Sequence, residues 1–233
     1  MKRTLLAIAG CLALCAGTTS TALGSAAAPG ASQWTVYDYN PSNQALAPRN
    51  SPNSLPATTI GDTTSFPFIL GTYTALLTTS DRGLTGNLAG VTLHDTVAVS
   101  GTSSGFTSQN GDGCNAPASV RFYFASPAAS GSSVGTPPAG FYTSFWWSNP
   151  VNVPLISGQQ PSATIMALMG DPNGWSDWNG QPASNPAVAE AFRDAVQNVQ
   201  TIGLSFGGGC FFENGVTITD GSEMFSSTFS ETP

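Results

Sequence analysis

Val91-Thr92-Leu93-His94-Asp95-Thr96-Val97-Ala98-Val99 decides the fold class. Val91, Leu93, Val97 and Val99 alternate with Thr92, His94, Thr96 and Ala98, the two-residue period of a strand with one dry and one wet face. Asp95 falls on the apolar side of that alternation, and a local bulge is the expected explanation.

The same period recurs along the chain. Val120, Phe122 and Phe124 alternate with Arg121 and Tyr123, while Phe141, Thr143, Phe145 and Trp147 alternate with Tyr142, Ser144, Trp146 and Ser148. Ala163, Ile165, Ala167 and Met169 share one face, and Ile202, Leu204 and Phe206 share another. Further strands are expected over residues 34–39, 66–79, 211–219 and 224–229. Asn110-Gly111-Asp112-Gly113, Asn214-Gly215 and Asp220-Gly221 punctuate the runs as turns. Residues 40–65 and 125–140, rich in Pro, Ser and small residues, read as long irregular loops.

One segment has helical spacing. Val188, Phe192, Val196 and Val199 recur within residues 186–199, with Asn185 placed to cap and Pro186 at the first helical position. A lone short helix among eight or nine strands predicts an all-β fold, a two-sheet β-sandwich of jelly-roll type with the helix plugging one end.

The N-terminus reads as an address. Lys2 and Arg3 precede an apolar run from Leu5 to Ala16, and Ser25-Ala26-Ala27-Ala28 offers a cleavage site. Residues 1–31 are therefore expected to be a secretory signal that is removed, and residues 32–233 a single β-sandwich domain. Ile8-Ala9-Gly10-Cys11 resembles a lipoprotein box but lies very close to the start. The expected location is extracellular, with no membrane attachment after processing.

Of 233 residues, 8% are charged, and the formal net charge is −7. Signal removal leaves four Arg, no Lys and all 13 acids. Such a chain lacks the basic face that nucleic acid or an anionic membrane requires. Only Cys114 and Cys210 then remain, and in an oxidising compartment they have a single intramolecular pairing. That disulfide would close a loop of nearly a hundred residues, worth about 4–5 kcal/mol in the chain-entropy picture.

No catalytic constellation stands out, and binding without catalysis is the expectation. A Ser-His-Asp triad would have to use His94, and no Gly-x-Ser-x-Gly elbow accompanies it. His94 reads as a strand histidine, exposed or hydrogen-bonded. Most acids fall in turns (Asp81, Asp112, Asp171, Asp177, Asp220) or on the helix (Glu190, Asp194), so no carboxylate pair is marked for glycoside chemistry. Gly207-Gly208-Gly209 leads into strand-like Cys210-Phe211-Phe212 rather than a helix, unlike a phosphate cradle. Asp171, Asn173 and Asp177 place oxygens in a Gly-rich loop that could take calcium, although no EF-hand pattern is present and Asx-turns explain the same residues. No other cofactor is expected.

The aromatics are the most informative residues. If Phe141, Phe145 and Trp147 face the core, Tyr142 and Trp146 face outward beside Arg121 and Tyr123. Trp175, Asp177, Trp178 and Asn179 would form a rim. Flat rings beside Arg, Asn and Asp suit a sugar, whose C–H faces stack while its hydroxyls hydrogen-bond. The competing reading is that a helix, a loop or the second sheet covers these rings.

Arg121-Phe122-Tyr123-Phe124, Ser144-Phe145-Trp146-Trp147-Ser148-Asn149-Pro150, Trp175-Ser176-Asp177-Trp178-Asn179-Gly180 and Ile202-Gly203-Leu204-Ser205-Phe206-Gly207-Gly208-Gly209 resemble segments of uncharacterised secreted bacterial proteins. The order of elements over residues 73–229 is similar to that of laminin-B-type and carbohydrate-binding-module-like jelly rolls. That resemblance implies a jelly roll that binds a sugar or matrix polymer, and it transfers no catalytic residue. Many such modules sit beside an enzyme domain, whereas this one is read as standing alone. The expected function is thus a secreted binder of polysaccharide or another extracellular polymer. The alternatives are a jelly-roll glycan hydrolase or lyase using paired carboxylates, and a structural or adhesive protein with a Ser/Thr-covered exterior.

Overall fold

The computed structural model describes residues 34–49, 55–109, 117–127, 140–149, 152–157, 160–208 and 214–233. The signal segment, all four cysteines with the expected disulfide, and the Asn110–Gly113 turn lie outside them.

Fifteen strands and one α-helix lie among these residues. They are β1 (Thr35–Asn40), β2 (Ala45–Pro48), β3 (Thr58–Ile60), β4 (Thr63–Phe68), β5 (Tyr73–Thr79), β6 (Thr92–Gly101), β7 (Phe106–Ser108) and β8 (Ser119–Ala125). Then come β9 (Phe145–Ser148), β10 (Val153–Pro154), β11 (Gln160–Leu168), β12 (Trp175–Asp177), α1 (Ala189–Gln197), β13 (Thr201–Gly207), β14 (Val216–Ile218) and β15 (Glu223–Thr232).

Two antiparallel sheets result. The larger, ten-stranded sheet runs β12-β9-β8-β13-β5-β1-β2, with β14, β7 and β10 attached off that path. The smaller runs β11-β6-β15-β4-β3. Counting β4, β5, β6, β8, β9, β11, β13 and β15 as one to eight, the sheets read six-three-eight-one and five-four-seven-two. The chain crosses between sheets at every step except from β8 to β9. That is the winding of a jelly roll, as the periodicity predicts.

Three local expectations change. Residues 66–79 are not one strand: β4 and β5 belong to different sheets, separated by a turn in which Thr72 N–H donates to the Ile69 carbonyl (3.0 Å) and Gly71 takes φ +76°. The excursion over residues 40–65 contributes β2, β3 and the first residues of β4. The helix begins at Ala189, because Asn185 is spent on an Asx-turn one turn earlier, its Oδ1 accepting from Ala187 N–H at 3.0 Å.

The space between the sheets is filled by inward residues of both. Phe66, Phe68, Phe206 and Phe225 meet with ring centroids 5.0–6.1 Å apart, mostly edge to face, the geometry favoured by aromatic quadrupoles. At another part of this core Phe192 of α1 lies 5.0 Å from Trp146 and 6.2 Å from Phe124. Arg49, just past β2, is buried and fully employed. It grips Asp38 with Nε and Nη2 (2.9 and 2.5 Å), the Thr74 hydroxyl (2.7 Å) and the Pro67 carbonyl (2.8 Å). One side chain thereby ties β1 to β4 and β5, in the bidentate manner guanidinium favours.

Asp95 is a correction. Pairing of β6 with β15 runs in unbroken register from Gly101↔Glu223 to Leu93↔Glu231, so the strand has no bulge there. The carboxyl points into the sandwich with Leu93 and Val97, wholly buried. Ser227 on β15 faces it, its hydroxyl 3.0 and 2.8 Å from the two carboxyl oxygens. Burial pushes the Asp95 pKa up to about 7, while hydrogen bonds from Ser227 and the Thr228 backbone restrain it.

Candidate functional site

The outward face of the large sheet is where the predicted ligand residues either meet or fail to. Val120, Phe122 and Phe124 of β8 point into the inter-sheet core, so Arg121 and Tyr123 point away from it, as expected, but Tyr123 is covered rather than open to water, as the competing reading has it. On β13, Ile202, Leu204 and Phe206 point inward, leaving Gly203 and Ser205 on the outward face. Two rows follow from the register. One runs Thr78–Gly203–Tyr123–Trp147 across β5, β13, β8 and β9, and the other runs Tyr37–Leu76–Ser205–Arg121 across β1, β5, β13 and β8.

Gly203 is required by this arrangement. A Cβ there would run into the Leu77 carbonyl, and the missing side chain lets Tyr123 lie across β13 with its hydroxyl directed to Thr78 and Thr201. Burial pushes the Tyr123 phenol well above its ordinary pKa. Phe145 stacks on Tyr123, centroids 5.0 Å apart and planes within 6°. Trp178 lies 5.4 Å from Trp147, 5.5 Å from Phe145 and 5.4 Å from Phe141. The Arg121 guanidinium sits 5.1 Å above the Trp147 ring, a cation–π contact, and Nη1 donates to the Ser148 carbonyl at 3.4 Å.

The result is a floor of buried rings (Tyr123 and Trp147, 1% and 3% exposed) edged by half-buried ones, Tyr37, Tyr39, Phe145 and Trp178. Two polar groups in it stand out: Trp147 Nε1 and the Ser205 hydroxyl are buried and make no hydrogen bond among the described residues. A buried donor without an acceptor costs about 1–3 kcal/mol.

Trp146 reverses its expected side. It is 0% exposed within the inter-sheet core, opposite Phe124 and Asp177, with Nε1 donating to the Thr143 carbonyl at 2.9 Å. Trp147 takes the outward side instead. Alternation states only that the two point apart; what pairs with them decides which points out. Trp175 is likewise interior, edge-on to Phe124 at 5.0 Å, with its Nε1 bonded to the Leu168 carbonyl. Tyr142 is half-buried in the turn before β9, where its carbonyl accepts from Trp178 N–H at 3.1 Å. The structure therefore gathers Arg121, Tyr123 and Trp178, joins Tyr142 to Trp178 through its backbone carbonyl, and sets Trp146, Trp175 and the buried Asp177 apart from them. Sequence reasoning missed Phe145, Trp147, Ser205, Tyr37 and Tyr39. The Tyr37-x-Tyr39 alternation carried the signal for the last two.

The acidic loop is built by its own backbone. Asp171 Oδ1 accepts from Asn173 N–H at 3.0 Å, and Asp177 Oδ1 accepts from Asn179 and Gln181 N–H at 2.9 and 2.8 Å. Burial raises the Asp177 pKa, against those two backbone donors. Among the described residues no group of three or more His, Cys, Asp or Glu could hold a metal ion. His94 Nε2 meets the Thr232 hydroxyl at 2.9 Å, on the outward face of the small sheet. Glu231, whose pKa burial also raises, faces inward on β15 diagonally from Asp95. Asp95 is sealed from solvent, so a glycosidic bond could not reach it. No helix among the described residues is long and apolar enough to cross a membrane. No protein-family model matches the chain, nor does any characterised protein or solved structure.

Proposed function

We propose that the protein is an exported, non-catalytic binder of extracellular carbohydrate polymer, and that the outward face of the large sheet is its binding face. The N-terminal Lys2-Arg3 and apolar run support export. The observation that carries the binding reading is the group of half-buried rings, Tyr37, Tyr39, Phe145 and Trp178, gathered on that face. Rings at the edge can stack on the C–H faces of a sugar, and the half-buried Arg121 guanidinium suits its oxygens. The reading needs no metal, since Asp171 and Asp177 are already bonded to their own turns.

The test is retention of the purified protein on a panel of insoluble polysaccharides, with soluble sugar assayed in parallel. Retention without release is expected. Trp178→Ala, a change at the edge of the floor, should weaken retention at least tenfold. Failure to bind any polymer, or unchanged retention in Trp178→Ala, would overturn the reading. Released sugar would instead point to a hydrolase or lyase.

A further inference from the structure

The small sheet has its own outward face, and its composition is unlike the rest of the chain. Thr164, Thr96, Thr228 and Thr63 stand in one row across β11, β6, β15 and β4. Their hydroxyls meet in pairs, Thr96 with Thr164 at 3.5 Å and Thr63 with Thr228 at 3.1 Å. Neighbouring rows carry Ala, Ser, Met and Pro. No Asp, Glu, Lys or Arg occupies an outward position among the described residues of these five strands, because Asp95, Glu223 and Glu231 all turn inward. His94 is its one titratable group, and it is held by Thr232. Large apolar side chains stand exposed there: Met166 (56%), Leu168 (49%), Met224 (43%) and Ile60 (79%).

We infer that this face binds the same face of a second copy of the chain. Charge is the first argument. At net −7, copies repel one another, and a face without ionised groups lets them meet without burying unpaired charge. Depletion of charge with enrichment of Met is also the composition of interface centres. Area is the second argument. Strand spacing and rise give these five strands a plan area of roughly 600 Å². A standard interface buries about 800 Å² of accessible surface per partner, and a corrugated side-chain surface exceeds its plan area. Two sheet faces can stack about 10 Å apart, with flexible methionines filling the gaps. The contact is isologous and closes as a dimer.

Sedimentation velocity of the purified protein from about 1 to 100 μM tests the inference. The wild type should pass from monomer to dimer over this range, and added salt should favour the dimer by screening the acidic chains. Thr96→Glu sets like charges against each other across the two-fold axis and should weaken dimerisation at least tenfold. Ser100→Glu, exposed on the same strand, should do the same and serves if Thr96→Glu fails to fold. Gln197→Glu on the exposed side of α1 should leave the dimer unchanged. A wild type that stays monomeric at 100 μM overturns the proposal, as does a folded Thr96→Glu protein that dimerises as well as the wild type. Loss of polymer retention in Thr96→Glu without any change in dimerisation would assign the face to a polysaccharide instead.

Discussion

Asp95→Asn is a near-isosteric change that isolates a single titration. In the folded protein the Asp95 pKa is raised from 3.8 to about 7, mainly by burial. The folded state therefore keeps a proton that the unfolded chain releases from about pH 4 upward. A raised carboxyl pKa means that stability falls as pH rises: the Asp95 contribution is whole below pH 3.8, declines through the window to about pH 7, and is flat above it. At 1.36 kcal/mol per pH unit over roughly three units, the loss is about 4 kcal/mol. Asn keeps an oxygen for the Ser227 hydroxyl and has nothing to ionise. Urea unfolding of both proteins at pH 4, 5.5, 7 and 8 should show the variant gaining on the wild type by about 4 kcal/mol across the series. Glu231, also raised by burial, is present in both and largely cancels from the difference. A difference that does not change with pH would refute the argument. A variant that loses ground as pH rises would mean that Asp95 is ionised in the fold and that its hydrogen bonds outweigh burial.

Two further expectations concern the core. Trp146→Ala should cost about 3–5 kcal/mol, because it removes a ring enclosed by Phe124 and Phe192. Thermal and urea unfolding would measure the loss, and a shift no larger than that of Trp178→Ala would return Trp146 to the surface. Arg49→Met should cost about 3 kcal/mol, since it strands the Asp38 carboxylate, the Thr74 hydroxyl and the Pro67 carbonyl together. A near-neutral unfolding midpoint would show that the ion pair merely fills space.

The strands were legible because a period of two is written in the order of the residues: β6, β8, β11, β13 and β15 all lie where alternation places them. The helix was legible for the same reason, its start displaced by one Asx-turn. The bulge at Asp95 was wrong for an instructive reason. A carboxyl on an apolar face is costly in isolation, and its partner Ser227 lies 132 residues away on a strand that alternation cannot pair with it.

Sequence by itself determined that this chain is a two-sheet β-protein with one helix, low in charge and rich in rings, and that Trp146 and Trp147 must point to opposite sides. Only the tertiary structure decided which side is which. Alternation is a relation between neighbours, whereas inside and outside depend on what a strand pairs with and what lies across the sandwich. Phe124 and Phe192 draw Trp146 in, and the turned-out row of Gly203 and Tyr123 receives Trp147. The same physics assembled the candidate binding floor from β1, β5, β8, β9 and β13, with Trp178 from the turn after β12. Those residues are distant in the chain and share only the side of the sheet on which the fold leaves them.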